Sequence, residues 1–85
     1  VSLRAVYFAW VRERIGKTDE MLNPPADVTT VGELITWLSA QDDNYAYAFE
    51  NPAIIRTAIN QNHVPHDTPL GGAYEIAFFP PMTGG

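Results

Sequence analysis

Residues 31–41 limit what this chain can fold into more than any other segment. Val31, Leu34, Ile35 and Leu38 fall at i, i+3, i+4 and i+7, a single apolar stripe along an amphipathic helix. Thr30-Val31-Gly32-Glu33 has the form of a capping box, with Thr30 as N-cap and Glu33 reaching back to the backbone ahead of it. Gly32 costs about 1 kcal/mol against Ala in a helix interior and less near the end. Trp37 lies off the stripe and is assigned to packing at the rim. A lone amphipathic helix must bury its stripe on a partner layer, and a chain of 85 residues has room for one sheet.

The rest of the chain supplies that sheet. Residues 3–9 are rich in β-formers and read as a strand, with Leu3, Ala5 and Tyr7 on one face and Arg4, Val6 and Phe8 on the other. Residues 10–15 read as a short helical turn stopped by Gly16. Residues 19–23 read as a short strand ended by Pro24-Pro25, which cannot continue a ladder. Residues 44–50, with Tyr45, Tyr47 and Phe49, fit either a turn of helix or an irregular aromatic segment. Residues 54–60 read as a strand, Ile55 and Ile59 on one face and Arg56 and Ala58 on the other. Residues 62–69 are turn-rich, and Leu70-Gly71-Gly72 is a further turn. Residues 74–79 form the last strand. The order strand, strand, helix, strand, strand predicts an α+β roll over residues 1–79, a mixed sheet packed on one main helix. A β-grasp arrangement satisfies this order. By analogy with that fold, the first and last strands are parallel neighbours at the centre.

Composition removes several function classes. Apolar residues make up 46% of the chain, enough to fold. The chain has no cysteine, which excludes disulfides, cysteine-ligated metals and a thiol nucleophile. Any sulfur it carries has to hang on another group. A net charge of −5 argues against nucleic acid as a partner and is compatible with a basic protein partner or with simple solubility. No apolar run approaches the roughly 18–20 residues of a membrane-spanning helix. With no signal peptide at Val1-Ser2-Leu3, the expected location is the cytoplasm. His63 and His66, beside Asp67, read as surface structure in a turn, and no metal site is expected. The sequence contains no Ser-His-Asp logic, phosphate-binding glycine loop or Walker pattern.

The informative part is the end, an extended tail over residues 80–85. At average glycine usage of about 7%, a chance terminal Gly84-Gly85 pair has odds of roughly one in 200. Pro80-Pro81 stops the last strand and favours extended backbone. From Pro80 the tail reaches at most about 20 Å, through Met82, Thr83 and Gly84 to Gly85. The two glycines lack side chains and fit a tunnel that rejects a Cβ. A stiff base, a thin tip and a free carboxylate suit delivery of the Gly85 carboxylate into another protein's active site. That carboxylate becomes reactive as an acyl-adenylate, and a persulfide attacking it leaves a thiocarboxylate on Gly85. No internal thiol competes for the activated acyl group.

A docking surface is expected at the root of the tail. In the last strand Ile76 and Phe78 share one face, and Glu75, Ala77 and Phe79 the other, which Glu75 marks as outer. Arg4 marks the outer face of the first strand, which then carries Val6 and Phe8. If the two strands are neighbours, Phe8 and Phe79 meet as a partner-docking patch. The competing reading is a local break in alternation that sends both rings into the core.

The residues from Ala77 to Gly85, Ala-Phe-Phe-Pro-Pro-Met-Thr-Gly-Gly, closely resemble the ending of the small subunits of molybdopterin synthase, the sulfur carriers of molybdenum cofactor biosynthesis. Phe8-Ala9-Trp10-Val11-Arg12-Glu13 resembles that family's first strand and following turn, and Ala58-Ile59-Asn60-Gln61 its middle strand. Ala73-Tyr74-Glu75 departs from the Gly-Asp-Glu-like turn that many members carry. The resemblance implies a ubiquitin-like β-grasp fold. It implies that an adenylyltransferase related to ubiquitin-activating enzymes consumes ATP to adenylate Gly85, with no cofactor bound to the carrier itself. It also implies a sulfur donor such as a cysteine desulfurase, which turns Gly85 into thioglycine. The tail then inserts into the large synthase subunit, within a heterotetramer, and sulfur passes to cyclic pyranopterin monophosphate to build the dithiolene. Three other functions stay open: a sulfur carrier for thiamine thiazole synthesis, a ubiquitin-like modifier conjugated through Gly85, and a β-grasp interaction domain with an incidental tail.

Overall fold

The structure, a computed structural model, describes residues 2–81. Strand β1 spans Leu3–Tyr7 and is followed by a short helix α1, Ala9–Ile15. Strand β2, Asp19–Leu22, turns back antiparallel to β1. Helix α2, Val31–Ser39, and a second short helix α3, Asp43–Ala48, cross to the far side of the sheet. A 3-10 turn, Pro52–Ile54, leads into β3, Arg56–Ile59, then β4, Asn62–Val64, and β5, Glu75–Phe79. The five strands lie in the order β2-β1-β5-β3-β4, with β1 and β5 parallel and the other pairings antiparallel. A mixed sheet with a helix grasped against one face, and its first and last strands paired at the centre, is the β-grasp.

The capping box forms as its residue types require. Thr30 Oγ1 accepts from the Glu33 amide at 3.2 Å, and Glu33 Oε1 accepts from the amides of Thr29 at 2.7 Å and Thr30 at 3.2 Å. The backbone hydrogen bond from Thr29, followed by that of its hydroxyl, holds the Glu33 carboxyl below its ordinary range. Val31, Leu34, Ile35 and Leu38 are all buried, in one cluster with Leu3, Ala5 and Tyr7 of β1 and Ile76 and Phe78 of β5. Trp37 is half-buried at the edge of that cluster. Gly32 has a reason to be there: its amide donates to the His66 carbonyl at 2.8 Å, and a Cβ would stand 3.3 Å from that same oxygen.

Two expectations are corrected, and one open alternative is decided. The main helix ends at Ser39 rather than near 41, because Asp42 adopts an extended conformation and caps the next helix, accepting from the Tyr45 amide at 3.1 Å. The segment at 44–50 is therefore helical, and it turns Tyr45, Ala48 and Phe49 into the core. Residues 62–64, read as turn, are the edge strand β4. Asn60 and Gln61 take φ of 51° and 71°, the left-handed pair that closes a two-residue hairpin, so Ile59 pairs directly with Asn62.

A polar cluster ties the helical layer to β2. Glu20 accepts hydrogen bonds from the Tyr7 hydroxyl at 2.7 Å, the Tyr45 hydroxyl, and the Lys17 ammonium at 3.0 Å. Lys17 also donates to the Tyr45 oxygen at 2.9 Å. Burial alone would raise the Glu20 carboxyl, but the donors Tyr45, Tyr7 and Lys17 outweigh it and hold the group below its ordinary value of 4.5.

Two predictions follow from these contacts. Leu34→Ala should cost about 2–5 kcal/mol and Thr30→Ala about 1 kcal/mol, read as midpoint shifts in urea unfolding. Because Glu20 is depressed in the folded state, its contribution is complete above about pH 4.5 and is lost as pH falls through the lower folded value. Glu20→Gln should cost about 1–3 kcal/mol at neutral pH and flatten the acid limb of a stability profile.

Candidate functional site

The tail leaves from the middle of the sheet. β1 and β5 run in the same direction, so both end at the same end of the molecule, with Tyr7 beside Phe78 in register. The Phe8 amide continues the ladder, donating to the Phe78 carbonyl at 3.1 Å. Phe8 keeps extended backbone, φ −126° and ψ 153°, so the alternation of faces persists for one residue beyond β1. Ala9 then takes φ 52°, a left-handed conformation costing about 1–2 kcal/mol in a residue with a Cβ, and the chain swings into α1. On the neighbouring strand, Pro80 removes the next ladder donor and β5 ends at Phe79.

This geometry brings Phe8 and Phe79 together on the outer face of the sheet. Their rings meet edge to face at 6.5 Å. Neither ring enters the core: Phe8 is 47% exposed and Phe79 is half-buried. Val6 and Ala77 lie beside them on the same face; Met21, on β2 and 58% exposed, shares this face but stands opposite Arg4, away from the two rings. Ala58 shares this face but is only 6% exposed, its methyl flanked by Ala77 and His63 on the adjoining strands. At the opposite end of the strands the face is closed by charge: Arg4 pairs with Asp19 at 3.1 Å and with Glu75 at 3.6 Å.

Two neighbours of Phe79 were not anticipated from the sequence. Arg56 stands directly opposite it across β3 and β5, and the His63 ring packs edge-on against it at 5.2 Å. The two histidines have separate roles. His66 Nε2 lies 2.8 Å from the Ile55 carbonyl and pins the loop after β4. Among the described residues no group of three His, Asp or Glu side chains is placed to hold a metal. The turn before β5, where the sequence departs from the family pattern, is held by Asn60, whose Oδ1 accepts from the amides of Tyr74 at 3.0 Å and Glu75 at 3.1 Å.

Of the tail positions, Pro80 and Pro81 are described, and both are partly exposed where the chain leaves the sheet. Met82, Thr83, Gly84 and Gly85 lie outside the described residues. Among the described residues no helix is long and apolar enough to cross a membrane.

The ThiS family model matches residues 5–85. The chain belongs to the ThiS family. The sequence is 40% identical over 83 residues to the molybdopterin synthase sulfur carrier subunit of Escherichia coli (strain K12), covering 98% of this chain and 99% of that one. Its counterpart in Haemophilus influenzae is 36% identical with the same coverage. Among solved structures, a putative molybdopterin converting factor subunit 1 from Pyrococcus furiosus superposes with a TM-score of 0.75 at 23% identity, over 96% of this chain and 99% of that one. The small archaeal modifier protein 1 of H. volcanii gives 0.72 at 20% identity, over 96% and 99%. These two structural likenesses place the chain in the ubiquitin-like β-grasp fold.

The exposure of Phe8 and the burial of its neighbour Phe78 make opposite predictions for this ThiS-family chain. Phe8→Asp should leave the unfolding midpoint within about 1 kcal/mol of the parent. Phe78→Ala, at full burial between Tyr7 and Phe49, should cost about 3–5 kcal/mol. Denaturant titration of both variants checks the assignment of faces.

Proposed function

We propose that the chain is the sulfur carrier subunit of a molybdopterin synthase, with the Gly85 carboxylate as its working group. The observation that carries this reading is the 40% identity to the Escherichia coli carrier over nearly all of both chains. The Phe-Phe-Pro-Pro-Met-Thr-Gly-Gly ending supports it. The fold likeness to an archaeal modifier protein, at 20% identity, speaks to fold alone and does not favour a modifier function.

The chemistry proceeds in three steps. An adenylyltransferase joins the Gly85 carboxylate to the AMP moiety of ATP and releases pyrophosphate. The terminal sulfur of a donor persulfide attacks the acyl carbon, AMP leaves, and a second thiol cleaves the resulting S–S bond to free the thiocarboxylate. In the large synthase subunit that sulfur is passed to cyclic pyranopterin monophosphate, and the Gly85 carboxylate is regenerated by water. The folded domain contributes no catalytic side chain to these steps. It presents the tail, and the outer-face pair Phe8 and Phe79 supplies an apolar contact at the tail's root.

A reconstituted reaction tests the proposal. With ATP, an activating enzyme, a sulfur donor, the large subunit and the pterin precursor, the intact chain should yield the dithiolene product. Removing Gly85 should abolish product, and Phe79→Asp should lower its rate by about ten-fold or more through weaker docking. Full product from the chain lacking Gly85 would contradict the reading.

A further inference from the structure

The outer face of the sheet is not uniformly apolar at the tail's root. Five side chains in this acidic chain are cationic, and among the described residues three of them are neutralised within the fold: Arg4 by Asp19 and Glu75, Arg14 by Glu50, and Lys17 by Glu20. Arg56 and Arg12 have no ion pair among the described residues, and Arg12 lies on α1, off the sheet. Arg56 is exposed, opposite Phe79 in register on the outer face. It lines an open groove together with His63, whose ring already rests against Phe79.

Resting on the docking role proposed above for Phe8 and Phe79, we propose that the partner surface covering them carries a carboxylate opposite Arg56, in the groove that Arg56 shares with His63. A partner that covers the Phe79 ring also strips water from the guanidinium next to it. An arginine desolvated without an anion is strongly unfavourable, so a complementary surface has to supply an acceptor there. A carboxylate fits best, because it takes two parallel N–H···O bonds from the guanidinium fork, with the His63 ring nitrogen beside it as a further polar neighbour. The overall charge makes this a specificity device. A net charge of −5 draws basic surfaces in general, whereas Arg56 accepts only a partner with a negative group at one place.

The test is the affinity of the full chain for the large synthase subunit as a function of salt, for the parent, Arg56→Glu, Arg56→Lys and Phe79→Asp, with the parent and Arg56→Glu measured also with the Gly85 carboxylate amidated. Arg56 is exposed, and a thermal melt of each variant checks that it folds. Arg56→Glu should weaken binding by about 10- to 100-fold at low salt, with the gap closing as salt rises, and Arg56→Lys should recover part of the loss. Parent-like affinity of Arg56→Glu alongside weakened Phe79→Asp would overturn the carboxylate and leave the docking patch standing. Parent-like affinity of both would overturn the docking reading as well. If the Arg56→Glu effect vanishes in the chain with an amidated C-terminus, which removes the tail's only anion, the anion facing Arg56 belongs to the tail of this chain and not to the partner, and the proposal fails.

Discussion

The parallel pairing of β1 with β5 is the contact on which the other features depend. Parallel neighbours cannot be joined by a hairpin, so everything between residues 7 and 75 has to cross over and return, and the amphipathic helix α2 lies on that crossover. The pairing places β1 and β5 at the centre of the sheet, where Ala5, Ile76 and Phe78 are fully buried beneath the helices. It also sets the outer face. Because the two strands run together, Phe8 and Phe79 emerge side by side, and the tail starts beside the residue that opens α1. Chain direction thus converts two distant aromatic residues into one surface at the tail's root.

Support around that pair is distributed between apolar and polar contacts. The Tyr7 ring stacks on Phe78 at 5.9 Å, while its hydroxyl reaches Glu20 and so joins the cluster that includes Lys17 and Tyr45. One side chain therefore belongs to both the core and the polar brace. On the other flank, Asn60 serves twice: its left-handed backbone closes the β3–β4 hairpin, and its side chain holds the amides of Tyr74 and Glu75 at the entry to β5. The chain spends local strain at Ala9, Asn60 and Gln61, the points where strands must turn sharply.

Much of this was legible in the sequence where the determining contacts are local. The capping box at Thr30 and Glu33 and the stripe from Val31 to Leu38 involve residues within eight positions of one another, and periodicity alone placed their buried face. The alternation in residues 3–9 and 74–79 likewise gave the faces of β1 and β5 correctly. Legibility failed where tertiary context decides. Gln61 has no intrinsic preference for a left-handed conformation, so the hairpin that makes β4 was hidden. The short α3, one of the two readings open for residues 44–50, was decided only by the Asp42 cap and the burial of Tyr45 against the rest of the core. The position of Arg56 opposite Phe79 follows from cross-strand register, which no single segment encodes. For the site, proximity of Phe8 and Phe79 was accessible only through the assumed parallel pairing, and the tail chemistry is a proposal that rests on the terminal residues and the family resemblance.

The central claim is that Gly85 carries sulfur, and the intact mass of the chain addresses it most directly. After incubation with ATP, an activating enzyme and a sulfur source, the account predicts a gain equal to sulfur replacing one oxygen, mapped by fragmentation to Gly85. An unchanged mass, under conditions that thiolate the Escherichia coli relative, would contradict it and leave a β-grasp binding module.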